Sequence, residues 1–116
     1  MKLNVTERLL ILGMQEIPRF GNIVTMQIVQ NLFARVSFTE KEVEEWEIVF
    51  KEQDGKSNVR WNPSKALAAE IDITNGMAQV IFDAINKMPE APLSIVPLYE
   101  RIQDMVTIPV PEEVIK

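Results

Sequence analysis

Residues 47–62 read EIVFKEQDGKSNVRWN, and this stretch restricts the fold of the chain more tightly than any other. The pair Asp54-Gly55 favours a two-residue type I′ turn, in which both central residues take positive φ. In that register residue 53 pairs with 56, Phe50 faces Val59, and Ile48 faces Trp61. These four apolar side chains then share one face of the hairpin, and Val49, Lys51, Asn58 and Arg60 occupy the other. A three-residue loop would set Phe50 against Arg60 and split the apolar set. Because a slip of one residue turns every side chain to the opposite face, the pattern selects the two-residue turn. An apolar face of this kind, with Trp46 beside it, is expected to lie beneath helices.

The flanking sequence supplies them. Asn4 with Glu7 three residues on is a capping signature. Val5, Leu9 and Leu12 follow on one helical face and Leu10 and Met14 on a neighbouring one, an arc wide enough for a largely buried helix that ends before Pro18. Asn22 can cap a second helix over about residues 23–35, striped by Ile28, Val29, Leu32, Phe33 and Val36. Thr39 and Glu42 form another capping box, opening a short third helix whose glutamates suit the positive end of the helix dipole. After the hairpin, Leu67, Ala69, Ile71 and Ile73 alternate with Ala68, Glu70 and Asp72, which predicts a third strand over 67–73. Thr74 or Asn75 caps a fourth helix striped by Met77, Val80, Ile81, Ala84, Ile85 and Met88. Ser94 can cap a last one lined by Ile95, Leu98 and Ile102, with Pro97 tolerated in its first turn. Beyond Asp104, Pro109 and Pro111 forbid helix while Val106, Ile108 and Val110 alternate. The expected architecture is α+β: an N-terminal three-helix segment, a three-stranded antiparallel sheet with the hairpin at its centre, and two C-terminal helices. One domain spans 1–104, and an extended tail covers 105–116.

Composition narrows the chemistry. A chain of 116 residues, 47% hydrophobic and 25% charged, can bury a core. It holds neither cysteine nor histidine, which removes disulfides, thiolate zinc sites and Ser-His-acid triads. Its four glycines, Gly13, Gly21, Gly55 and Gly76, do not form a phosphate-cradling loop. Glu70 and Asp72 share a strand face and could hold a divalent cation, but no third ligand accompanies them, and a solvated sheet face is the favoured reading. Ser64 and Lys65 within NPSK form a Ser-Lys pair, yet the string reads as a strand-to-strand loop. No catalytic, metal or cofactor residues are therefore assigned, and a non-enzymatic protein is expected. The apolar run Leu9–Met14 is far too short to span a bilayer. No cleavage site follows it, so a cytoplasmic protein without membrane contact is expected.

Helices followed by a hairpin are also the order of a winged-helix DNA reader. The third helix, which would enter the major groove, carries Glu40, Glu42, Glu44, Glu45 and Glu47 against Lys41, and the net charge is −5. Phosphates would be repelled from it. The hairpin supplies Lys51, Lys56 and Arg60 as the nucleic-acid contacts of that alternative. Protein contact is favoured instead, through Trp46 and Trp61 as aromatic anchors and through Val106, Ile108 and Val110 in the tail, which either packs on its own domain or adds to another chain as an extended segment.

The segments ERLLILGM, FGNIVTMQIVQNL, SFTEKEVEEWEIVFK, VRWNPSKA, EIDI and PLYERI follow in that order over about residues 1–102. Taken together they resemble a group of small proteins encoded in bacteriophage and prophage genomes. The group carries no established activity, so the resemblance implies a setting rather than a chemistry: a phage accessory protein in a bacterial cytoplasm. The leading expectation is an interaction module that engages a host or phage protein. The alternatives are a winged-helix-like regulator of nucleic acid and a virion or assembly component that acts through self-association.

Overall fold

The computed structural model describes residues 1–106, apart from the side chains of Gln53, Lys56 and Ser57. It is a mixed helix and sheet fold with two small antiparallel sheets. Strand β1 (Lys2–Leu3) leads into α1 (Val5–Leu12), α2 (Ile23–Val36) and α3 (Glu40–Glu45). Strands β2 (Val49–Gln53) and β3 (Lys56–Arg60) form the hairpin, and β4 (Ala69–Glu70) follows. Helix α4 (Asn75–Lys87), a 3-10 turn (Leu93–Ile95) and α5 (Val96–Val106) complete the described chain.

The helix starts are where local chemistry puts them. The side chains of Asn4, Asn22, Thr39 and Thr74 each accept a backbone N–H from the third residue on, satisfying donors the first turn leaves orphaned. At Asn4 and Thr39 the box is reciprocal, with Glu7 and Glu42 reaching back to the cap N–H. Ser94 does not cap α5; it lies inside the 3-10 turn, which has no side-chain cap.

The core sits between the helices. Val29, Leu32 and Val36 of α2 face Met77, Ala78, Ile81, Ala84 and Ile85 of α4, joined by Leu98 and Ile102 of α5 and by Leu3, Ile11, Met14 and Ile17. Gly76 permits the close approach of α2 and α4, because a Cβ there would lie 3.3 Å from Ile28 Cδ1. Phe82 stacks on Tyr99 at 5.3 Å between centroids, and the Tyr99 hydroxyl donates to Asn86 Oδ1 at 3.0 Å, tying α4 to α5.

The sheet differs from the expected one. The hairpin register agrees with the reading from sequence: Phe50 pairs with Val59 and Gln53 with Lys56, and the turn residues Asp54 and Gly55 have φ of 55° and 75°. No third strand joins it among the described residues. The expected strand over 67–73 shrinks to Ala69–Glu70 and pairs with β1, Lys2 opposite Glu70 and Leu3 opposite Ala69. The Ile71 N–H donates to the Met1 carbonyl at 2.8 Å and extends that contact. Two small sheets therefore replace the three-stranded one. Ile71 and Ile73 are buried as the alternation requires, but Leu67 is exposed. Helix α5 also runs past Asp104 to Val106.

The hairpin is not roofed by helices. Phe50 is 58% exposed and Val49 45%, so apolar side chains on both faces of the ladder meet water. Ile48, at the base of the hairpin, is buried.

Candidate interaction surface

Helix α1 carries an arginine on its inner side. Arg8 follows Val5 by three residues and precedes Leu12 by four, so it shares their face. It is 1% exposed. Its Nε donates to the Val36 carbonyl at 3.0 Å, and one terminal nitrogen donates to the Ser37 carbonyl at 2.7 Å, which caps the C-terminal end of α2. The same guanidinium grips Glu42 bidentately, both contacts at 2.9 Å. Its Cζ lies 4.2 Å from the centre of the Phe38 ring and 6.0 Å from that of Trp46, within range of cation–π attraction. A buried charge is tolerated here because nearly all its donors are matched. The Arg8 guanidinium holds the Glu42 carboxyl below the usual carboxylate range against the opposing effect of burial, with the Thr39 cap assisting.

A second arginine repeats the device. Arg101 of α5 donates to the buried Glu7 carboxylate, to the Lys2 carbonyl and to the Pro97 carbonyl. Each capping-box glutamate thus serves both its own helix and a distant arginine.

The hairpin leaves this body through a left-handed turn. Trp46 ends α3, Glu47 follows at φ 56°, and the Ile48 N–H donates back to the Val43 carbonyl at 2.9 Å. This is a Schellman-type helix stop with glutamate where glycine is favoured. Glu47 is held by Lys65 at 2.8 Å and by the Asn62 side-chain amide at 3.2 Å, and these two partners, Lys65 first, lower its carboxyl pKa. The Asn62 N–H donates to the Trp46 carbonyl at 2.9 Å. The hairpin is therefore pinned at its base and open along its length.

Along that length lies an apolar strip made of Phe50, Val59 and Trp61. Depressions of ≈ 310 Å³ and ≈ 410 Å³ flank it, lined by Phe50, Lys51, Glu52, Asn58 and Val59 and by Val59, Arg60, Trp61 and Pro63 respectively. Walls of four or five side chains do not enclose a small molecule. Neither outer edge of the hairpin is paired among the described residues. The ladder alternates between bonded and non-bonded pairs. Counting from the turn, the N–H and C=O groups of Phe50 and Glu52 point away from β3.

The sequence-predicted contact residues separate. Trp46 belongs to the Arg8 cluster and caps α3, so it does not share a hairpin face with Trp61. Trp61 is half-buried at the hairpin base. Val106 is the last residue of α5 and packs against the core, whereas Ile108 and Val110 lie outside the described residues. Lys51 and Arg60 are exposed on the face opposite Phe50, and Lys56 pairs with Gln53 beside the turn. Glu70 and Asp72 are not a carboxylate pair. Glu70 meets the N-terminal amine, and Asp72 lies beyond β4, 3.3 Å from Arg35. Lys65 is engaged by Glu47, and the Asn62 side chain accepts the Ser64 N–H at 2.9 Å, so NPSK is a loop.

Two features escaped the sequence reading. Arg8 had a signal, its position on the inner face of α1. The exposure of Phe50 had none, because it depends on which strand fails to arrive. A second exposed apolar group, Phe20, Ile23 and Val24, lies at the start of α2, but it offers no unpaired strand backbone to give a partner direction. Among the described residues, no helix is long and apolar enough to cross a membrane, and no three acidic, histidine or cysteine side chains are grouped to hold a metal. No family model, curated protein or solved structure matches the chain.

Proposed function

We propose that this chain is a non-enzymatic protein–protein interaction module whose contact surface is the projecting hairpin. The observation that carries the reading is Phe50, 58% exposed on a strand whose outer edge is unpaired among the described residues. Such an edge can accept another strand through main-chain bonds, with the adjacent side chains setting specificity. A ring in the middle of that strand adds apolar area where the partner would lie. The placement of the module as a phage accessory factor in a bacterial cytoplasm rests on the segment resemblance.

Capture experiments test it. The full chain and its Phe50→Ser variant are immobilised and exposed to a bacterial lysate, and retained proteins are compared. Loss of specific partners in the variant is the expected result; identical recovery removes the hairpin from the surface. A chain ending at Val106 that recovers the same partners removes residues 107–116 as well.

A further inference from the structure

We propose that the hairpin binds a second copy of this chain, strand β2 against its two-fold mate, giving a continuous four-stranded sheet in the order β3-β2-β2′-β3′. The proposal rests on the hairpin being the contact surface and names its partner. A two-stranded hairpin is marginal in water unless further strands or a helix cover it. Here Val49 and Phe50 remain exposed on the two faces of the hairpin, outside the buried core. An added strand would complete the structure.

The edge itself selects the mate. The outward backbone of β2 belongs to Phe50 and Glu52, so a two-fold antiparallel register can centre on Phe50, Lys51 or Glu52. Centring on Lys51 sets lysine against lysine, and centring on Glu52 sets carboxylate against carboxylate. Like charges directly opposite are destabilising. Centring on Val49 leaves only two Phe50–Ile48 bonded pairs, each missing the bond of the Ile48 N–H already given to the Val43 carbonyl. Centring on Phe50 loses that bond only at its flanking Ile48–Glu52 pairs and keeps the central pair whole. Centring on Phe50 places ring beside ring and each Lys51 beside the mate's Val49, with no like-charge pair. The two Phe50 residues become a bonded pair, with Cα atoms about 5.5 Å apart.

That separation suits a disulfide, and the chain contains no cysteine of its own, so a single introduced thiol reports cleanly. Phe50→Cys is expected to give a covalent dimer under mild oxidation. Glu52→Cys and Val59→Cys are expected to remain largely monomeric. In the proposed sheet the two Glu52 positions are offset by four residues, about 13 Å along the strand, and the two Val59 positions are three strand spacings apart, about 14 Å. Sedimentation of the unmodified chain is expected to show a monomer–dimer equilibrium that Phe50→Lys abolishes. Because each chain carries a net charge of −5, the dimer should tighten as salt rises, the reverse of phosphate binding. Equal cross-linking at all three positions, preferential cross-linking at Val59, or a strict monomer at several hundred micromolar each overturns the proposal. If the chain is monomeric while lysate capture still depends on Phe50, self-pairing fails and the hairpin remains the contact surface for a different protein. If capture is also independent of Phe50, both readings fail.

Discussion

The helical body and the hairpin dispose of their side chains in opposite ways. In the body a guanidinium is sealed from water; on the hairpin a phenyl ring stands in it. Arg8 is 1% exposed and Phe50 58%. The contrast shows that burial follows the supply of partners rather than the polarity of a side chain. Arg8 meets two carbonyls left over at the end of α2 and a carboxylate already held by the α3 cap, so desolvation is offset. Phe50 meets Val59 across one ladder, and the helices that could have covered it pack on one another instead.

Substitutions can break the contrast, beginning with the core. Leu32→Ala empties a fully enclosed site between α2 and α4, and a loss of about 3–4 kcal/mol in urea unfolding is expected. Arg8→Ala should cost about 3 kcal/mol, because it strands Glu42 beside unsatisfied carbonyls. A cost near zero would show that the clamp contributes nothing net. Glu42 supplies a pH test of the same clamp. Its folded carboxyl titrates below its unfolded value, so its contribution is complete above the ordinary carboxylate pKa and falls away as pH drops through the lowered one. The acid side of the stability curve is expected to be shallower in Glu42→Gln than in the parent chain.

On the hairpin the effects are smaller and local. Gly55 has φ 75° with nothing within 4 Å of an added Cβ, so Gly55→Ala introduces backbone strain of about 1 kcal/mol and no clash. The loss should appear as faster amide exchange in β2 and β3, with the unfolding midpoint of the body little changed. Phe50→Ala, measured on dilute protein, is expected to shift stability by no more than about 0.5 kcal/mol. A larger loss would mean that the ring is covered within the single chain.

Much of the local structure was legible in advance. The caps at Asn4, Asn22, Thr39 and Thr74 involve groups three residues apart, and the I′ turn at Asp54-Gly55 needs two adjacent residues that tolerate positive φ. The stripes of α2 and α4 are likewise set by helical period. The strand pairing was not legible. The alternation at 67–73 announced an extended segment with a buried side, and Ile71 and Ile73 are indeed buried, but its mate proved to be Lys2–Leu3. Trp46 and Trp61 carried equal weight as candidate anchors because nothing in their neighbourhoods marked Arg8 as the companion of one of them.

The amino-acid sequence alone determined where helices begin, how the hairpin turns and which residues face each other across it, since each depends on groups within a few positions along the chain. Only the tertiary structure decided that β4 joins the chain start, that Arg8 is enclosed and that Phe50 is left in water. Those outcomes turn on which distant segments compete for the same surface, and the free energy of that competition is not written in any one segment.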